Sequence, residues 1–541
     1  MRVKFLYISI LLVAAVTARA QHAAPATDTI MKGATIEVIQ SYKPQVKQAP
    51  KPEWVPQLPP ADTSHPVFTY DVPQQTLFYT YSSLPLRPLA LGKDVEKSPF
   101  ANYVKVGGGN LSTLFLDAGV GGIKGDNYET DIHLHHISQQ GTIKYQQSAL
   151  SGIAAEGILH GAENEWHAVL NGERNQYYYY GFDHSKYSFT SDAVQQTYTT
   201  VRAGVDMKNK GDSTAAFSYH PSVNASLYNG KPNAGETTIG FDAPFVYRVD
   251  NSLQARLDLN GAVTQLKVSS ASATNDYVEL LPGIALTGAF NGHALLGLAI
   301  GKGSAFYFLP DVLAAYTVPG TKFIVSAGYQ ATLRQNTYEQ LSTENPYIFD
   351  YFAVMQMRKD EVFANIHAGV GDHLSFSGRL SWWGYKNLPT FLDTAGDQKQ
   401  FNVIYDNVNA VSLQLAARYS VSNTWSVGAS GDFYHFYNGS QLYAWHQPDV
   451  KIKGDLTLIP FPKLTVTAYL ALLGGITAKD ATNSVVKLKP IADLGGNAEY
   501  QIIPRLSAFL QINNILNDRY QRWLGYQAYG FNIYGGLRLK F

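Results

Sequence analysis

The feature that most constrains this chain is a two-residue alternation of apolar and polar side chains, repeated segment after segment from Asn102 to the end. Counting back from the last residue, alternate positions are Phe541, Leu539, Leu537, Gly535, Ile533 and Phe531. Between them stand Lys540, Arg538, Gly536, Tyr534 and Asn532. A period of two puts these sets on opposite faces of one strand. The stretch Ser252 to Val263 repeats it, with Leu253, Ala255, Leu257, Leu259, Gly261 and Val263 against Ser252, Gln254, Arg256, Asp258 and Asn260. Val411 to Tyr419, Val450 to Leu458, Leu464 to Leu472 and Leu506 to Ile512 do the same. The chain is predicted to be all-β over 101–541.

An alternating strand suits a soluble sandwich or a membrane barrel, and the connections separate the two. Very short turns stand at Val249 to Asn251, Pro319-Gly320, Gly371-Asp372, Ser422-Asn423, Phe461-Pro462 and Ile503-Pro504. The connections between them are longer and rich in Tyr, Asn, Asp and Lys, as in Gln176 to Ser191 and Gln335 to Asp350. Short turns at one end and long loops at the other are the asymmetry of an outer-membrane barrel, which a sandwich does not show. Upward strands beginning near 102, 127, 164, 213, 251, 292, 320, 373, 423, 462 and 505, each with a returning partner, predict a transmembrane antiparallel β-barrel. The count is about 22 strands, within a range of 16–22.

The N-terminus fits that destination. Arg2 and Lys4, the apolar run Phe5 to Val16, and Ala18-Arg19-Ala20 predict a signal peptide over residues 1–20. No later stretch is long and apolar enough for a transmembrane helix. The absence of cysteine excludes a lipoprotein anchor, disulfides and Cys-based metal or redox sites. A formal net charge of zero gives no reason to expect a nucleic-acid partner. The expected location is the outer membrane of a Gram-negative cell, with outer-membrane lipid as the surrounding partner.

Residues 21–100 carry nearly half of the 25 prolines, which forbids both ladder pairing and helix. This segment is a Pro-rich periplasmic linker, or, through the aromatic stretch Val67 to Leu91, it enters the barrel or docks on a periplasmic partner. Aromatic clusters at Tyr177 to Tyr180, at Trp382 and Trp383, and at Phe433, Tyr434, Phe436 and Tyr437 are expected in interfacial girdles.

Chemistry-bearing motifs are scarce. No Ser-His-Asp signature, phosphate loop or paired-carboxylate motif stands out, so neither an enzyme nor a cofactor is expected. In Asp131-Ile-His-Leu-His-His136, Asp131, His133 and His135 share a face and have the residue types for Zn²⁺ or Cu²⁺. Ordinary polar wall residues explain them equally well, and no metal is assigned. The residues expected to face the lumen are Arg256, Asp258, Arg418, Asp432, Lys451, Lys453, Asp455, Arg538 and Lys540. Their mixed signs argue against strong ion selectivity.

The end of the chain carries a more specific pattern. A strand from Ile491 to Tyr500, a turn at Pro504, the knuckle Asn513-Asn514-Ile515-Leu516-Asn517-Asp518, and a Gly-rich last strand ending in Phe541 together resemble the close of TonB-dependent receptor barrels. The resemblance implies an outer-membrane barrel for solute passage or uptake, with Phe541 as the signal read by the barrel-assembly machinery. A structural or assembly component of an outer-membrane complex is the alternative. Family members carry an N-terminal plug, and no plug-like run precedes the first strand here. Thr35-Ile-Glu-Val-Ile39 is similar to a TonB box over five residues only.

Overall fold

The computed structural model describes residues 102–541, apart from 211–215, 232, 270, 289, 350–352, 394–398, 422–423 and 481. The signal peptide, the Pro-rich extension with its Val67–Leu91 stretch, the Thr35–Ile39 match and the Ser422-Asn423 turn lie outside the described residues.

Each strand pairs antiparallel with the next. The first, Tyr103–Gly109, also pairs with the last, Asn532–Lys540, so the sheet closes on itself. The sheet contains 24 strand segments. Phe217–Tyr219 and Ser222–Gly230 pair with the same neighbour on either side of His220-Pro221, where proline cannot donate to a ladder. Ala271–Thr274 and Tyr277–Leu286 share a neighbour in the same way. Joining each couple gives a closed barrel of 22 strands. Upward strands start at residues 103, 128, 164, 217, 253, 290, 322, 374, 425, 464 and 506, each within four residues of the position expected from the sequence.

The alternation becomes two physically different faces. In Leu253–Val268, Leu257 and Val263 are 40% and 58% exposed, whereas Gln254, Ala262, Thr264 and Leu266 are buried. Leu537 and Leu539 are likewise exposed on the last strand, as are Val201, Leu227 and Ile239 elsewhere in the wall. So large an uncovered apolar face is stable where lipid, not water, meets it. Strands of about 9–11 residues cross a bilayer. Leu374–Leu392 and Asn402–Val421, of 19 and 20 residues, therefore extend beyond it.

At the short-turn end, Gly320 and Gly371 adopt φ of 73° and 60°, a left-handed backbone that glycine tolerates without Cβ strain. The opposite end is less uniform than the sequence suggested. Connections 109–114, 230–234, 268–271 and 300–306 are also tight there, so the remaining ones carry the asymmetry. The girdle expectation needs a similar correction. Trp382 and Phe433 are exposed on the apolar face, but Tyr179, Tyr180 and Trp383 are buried. A tyrosine at a strand end suits headgroups and a packed loop layer equally, because both offer an apolar body and a polar tip.

Candidate functional site

The long connections do not stand apart as separate loops. Connection 336–355 leaves the strand Lys322–Gln335 and begins a short helix, Tyr338–Glu344. Thr337 caps that helix by accepting the Gln340 N–H at 3.2 Å. The helix then docks on the strands Gln195–Asn209, Ser222–Gly230 and Ala234–Arg248, five to seven strands away around the barrel. Glu236 accepts the N–H groups of Tyr338 and Glu339 at 2.6 and 3.1 Å, answering orphan donors of the first turn. Glu339 reaches Arg202 and Ser226, and the Tyr228 and Ser342 hydroxyls meet at 2.5 Å.

The other long connections meet this one. Tyr180, Ile348, Phe391, Phe401, Trp523 and Tyr526 are buried together in one cluster with Tyr338 and Leu341. The rings of Tyr347 and Tyr526 stack with centroids 3.5 Å apart. A backbone bridge joins Ile348 to Phe401. Tyr198 and Tyr180 donate their hydroxyls to the carbonyls of Pro346 and Gln527 at 2.9 and 2.8 Å. Each large apolar side chain buried here contributes roughly 1.5–3 kcal/mol. Chain segments rooted all around one rim therefore converge into a single aromatic cap.

His446 fastens three of these segments and is fully buried. Its Nδ1–H donates to the Phe391 carbonyl at 2.8 Å, and its Nε2 accepts the Leu524 N–H at 3.4 Å. That arrangement requires the neutral ring. Burial, with the Arg522 guanidinium nearby, pulls its pKa down to about 4. The knuckle seen in the sequence has a local cause as well. Asn514 and Asn517 adopt positive φ, and the Asn514 amide bonds Asp518 and Tyr529 backbone groups in both directions.

The nine charged wall residues fall into three places. Arg256 and Asp258 pair at 3.1 Å on the face that also carries Thr264 and Leu266, and Leu266 packs into the cap. Arg418, Asp432, Lys451, Lys453 and Asp455 come together on three adjacent strands. There Arg418 pairs with Asp455 at 2.9 Å, Asp432 lies opposite Lys451, and Lys453 lies opposite Ser430. Arg538 meets Glu499 at 3.3 Å and lies over the Tyr103 ring, while Lys540 sits opposite Tyr103. Phe541 follows the last strand and gives its N–H to the Asn102 carbonyl at 3.0 Å. The histidine motif is not assembled as a metal site. His133 turns to Asp117 at 2.9 Å, while Asp131 accepts the Gly122 N–H. Among the described residues no group of three or more His, Cys, Asp or Glu side chains is placed to hold a metal.

Sequence reasoning placed the long loop Gln335 to Asp350 among the segments that could fold inward, but it missed the aromatic cap that this loop helps to form. Its signals were thin: an N-cap threonine before seven helical residues, and tyrosines that fitted a girdle.

A 22-strand closed barrel with an apolar outer face and long loops folded across one rim has a fold similar to that of TonB-dependent receptor barrels. The FrpB iron transporter from Neisseria meningitidis superposes with a TM-score of 0.65 at 12% identity, over 84% of this chain and 83% of that one. The ferripyoverdine receptor of the outer membrane of Pseudomonas aeruginosa gives 0.60 at 12% identity, over 82% and 72%. The copper transporter OprC gives 0.60 at 10% identity, over 81% and 80%. No family model and no curated protein sequence matches the chain.

Proposed function

We propose that this barrel takes up a solute across the outer membrane, admitting it at the loop-closed mouth and passing it along a charged lumen. The observation that carries this is the cap itself, one aromatic layer contributed by segments from around the rim. A structural element needs no such layer, whereas a passage of this width needs something to close it. Barrels of about 16–18 strands leave an aqueous channel, and 22-stranded transporters are plugged. The proteins of similar fold are named for iron, ferripyoverdine and copper, which supports uptake as a class and does not name the solute. In this reading Arg256, Asp258, Arg418, Asp432, Lys451, Lys453, Asp455, Arg538 and Lys540 line the lumen. Residues 21–100, through Val67 to Leu91, contribute part of the block from the periplasmic side.

Planar-bilayer conductance tests it. Full-length protein is expected to be nearly silent, with a large rise on deleting residues 21–95 and a further rise when Trp523→Ala and Tyr526→Ala are combined. High conductance in every form would make it an open pore. Silence in every form would favour a structural component.

A further inference from the structure

Against the cap lies a cavity of about 380 Å³, within the range of small-molecule pockets. Tyr469, Tyr520, Trp523 and Tyr526 give it aromatic walls, and Asp493 and Arg522 give it charge. The asparagine amides around it are already committed. Asn513 bonds Asn532, Gln511 and Tyr469; Asn532 bonds Asn110 and Thr113; Asn514 bonds backbone groups of Asp518 and Tyr529. The two charged groups are not. Asp493 accepts the Tyr520 hydroxyl on Oδ2 at 3.2 Å, and its Oδ1 is buried with no hydrogen-bond partner. Arg522 gives one N–H to the His446 carbonyl at 2.5 Å and lies over the Trp523 ring, 4.3 Å from its centroid. Among the described residues no ion pair joins Asp493 and Arg522 to each other or either to a third charge, though the Glu344 carboxylate lies near enough to act on Arg522 at longer range.

Two opposite charges thus line one hollow without neutralising each other. A charge withdrawn from water is costly until a counter-charge and hydrogen bonds meet it. A neutral sugar would bring no charge to meet either group. A metal chelate would meet one carboxylate only. A ligand with an ammonium at one end and a carboxylate at the other answers both, and the rings between accept apolar side chains and attract the ammonium over their faces.

We infer that this cavity binds a short zwitterionic peptide, its amino terminus at Asp493 and Tyr520 and its carboxylate at Arg522. This deepens the uptake reading by naming a substrate class, and rests on it only for what happens after binding.

Calorimetry on full-length protein in detergent decides, with four probes: the tripeptide Ala-Tyr-Ala, its N-acetyl form, its C-terminal amide, and methyl α-glucopyranoside. The free tripeptide is expected to bind, and each capped form to bind at least about tenfold more weakly, the loss typical of a charged hydrogen bond. Acetylation should cease to matter in Asp493→Asn, and amidation in Arg522→Gln. Equal affinity for free and capped peptides, binding of the glucoside instead, or no binding of the peptide would each overturn the proposal. The probe series on unaltered protein stands even where a variant fails to fold. Conductance is measured separately, so a barrel that conducts and binds no peptide would sink this inference and leave the uptake reading intact.

Discussion

His446 shows how much one side chain governs at the mouth. Its Nε2 must accept from Leu524 while its Nδ1–H serves Phe391, so a proton on Nε2 removes the acceptor and leaves a buried cation beside Arg522. The folded pKa, about 4, lies below the ordinary value near 6.5, so the released ring takes the proton first. The stabilisation is therefore complete above about pH 6.5 and is lost progressively as pH falls toward 4, by up to about 3 kcal/mol. Tryptophan fluorescence from pH 8 to 4 is expected to report cap loosening in the parent protein. His446→Asn should be looser at neutral pH and flat across the titration. A flat response from the parent would refute it. The wall offers a second single-residue test. Leu257→Arg places a charge on the apolar face and should cost on the order of 2–4 kcal/mol near the midplane, while Arg256→Leu on the other face should cost less. Refolding into liposomes measures the order, and the reverse order would mean a register one residue off.

At the scale of elements, strands and cap differ in how they are encoded. Leu253–Val268 announces itself because every second residue obeys one rule, so the pattern survives an error at either end. The knuckle was legible for the same reason: its asparagines act on their own neighbours. The cap has no such local grammar. Tyr180, Ile348, Phe391 and Trp523 become one cluster only because closure brings their rims together, and nothing near Tyr180 mentions Trp523. The charged pairs divide likewise. Arg256 with Asp258 is two residues apart and readable, whereas Arg418 with Asp455 needs the register of three strands. The helix docking is testable at this scale. Glu236→Gln keeps one acceptor for two N–H donors and should cost roughly 1–2 kcal/mol. Limited proteolysis of connection 336–355 would register it as faster cleavage, and unchanged cleavage would mean that the carboxylate does not hold the helix.

The barrel wall is a ring in which every pair of adjacent strands is also consecutive along the chain, save one. Tyr103–Gly109 and Asn532–Lys540 lie more than 400 residues apart along the chain and meet with Gly107 facing Gly536 and Gly108 facing Gly535. A Cβ on Gly536 would lie 1.9 Å from the Val106 carbonyl oxygen, so Gly536→Val should impair closure sharply. Deleting Phe541 tests a different step, recognition of the chain's end. It is expected to lower assembled, heat-modifiable protein in membrane fractions while leaving refolding in detergent little changed. Equal losses in both assays would place Phe541 in the fold itself.

The bond from Phe541 N–H to the Asn102 carbonyl has one more consequence. It brings the barrel's start and finish within a single peptide's reach, so the ring has no structural beginning. A circular permutant joined there and cut at Pro319-Gly320 would keep every strand pairing, yet would end on the segment Phe306–Thr317 without a terminal phenylalanine. On the expectation that the barrel-assembly machinery reads Phe541, such a chain should refold in micelles and fail to mature in the cell.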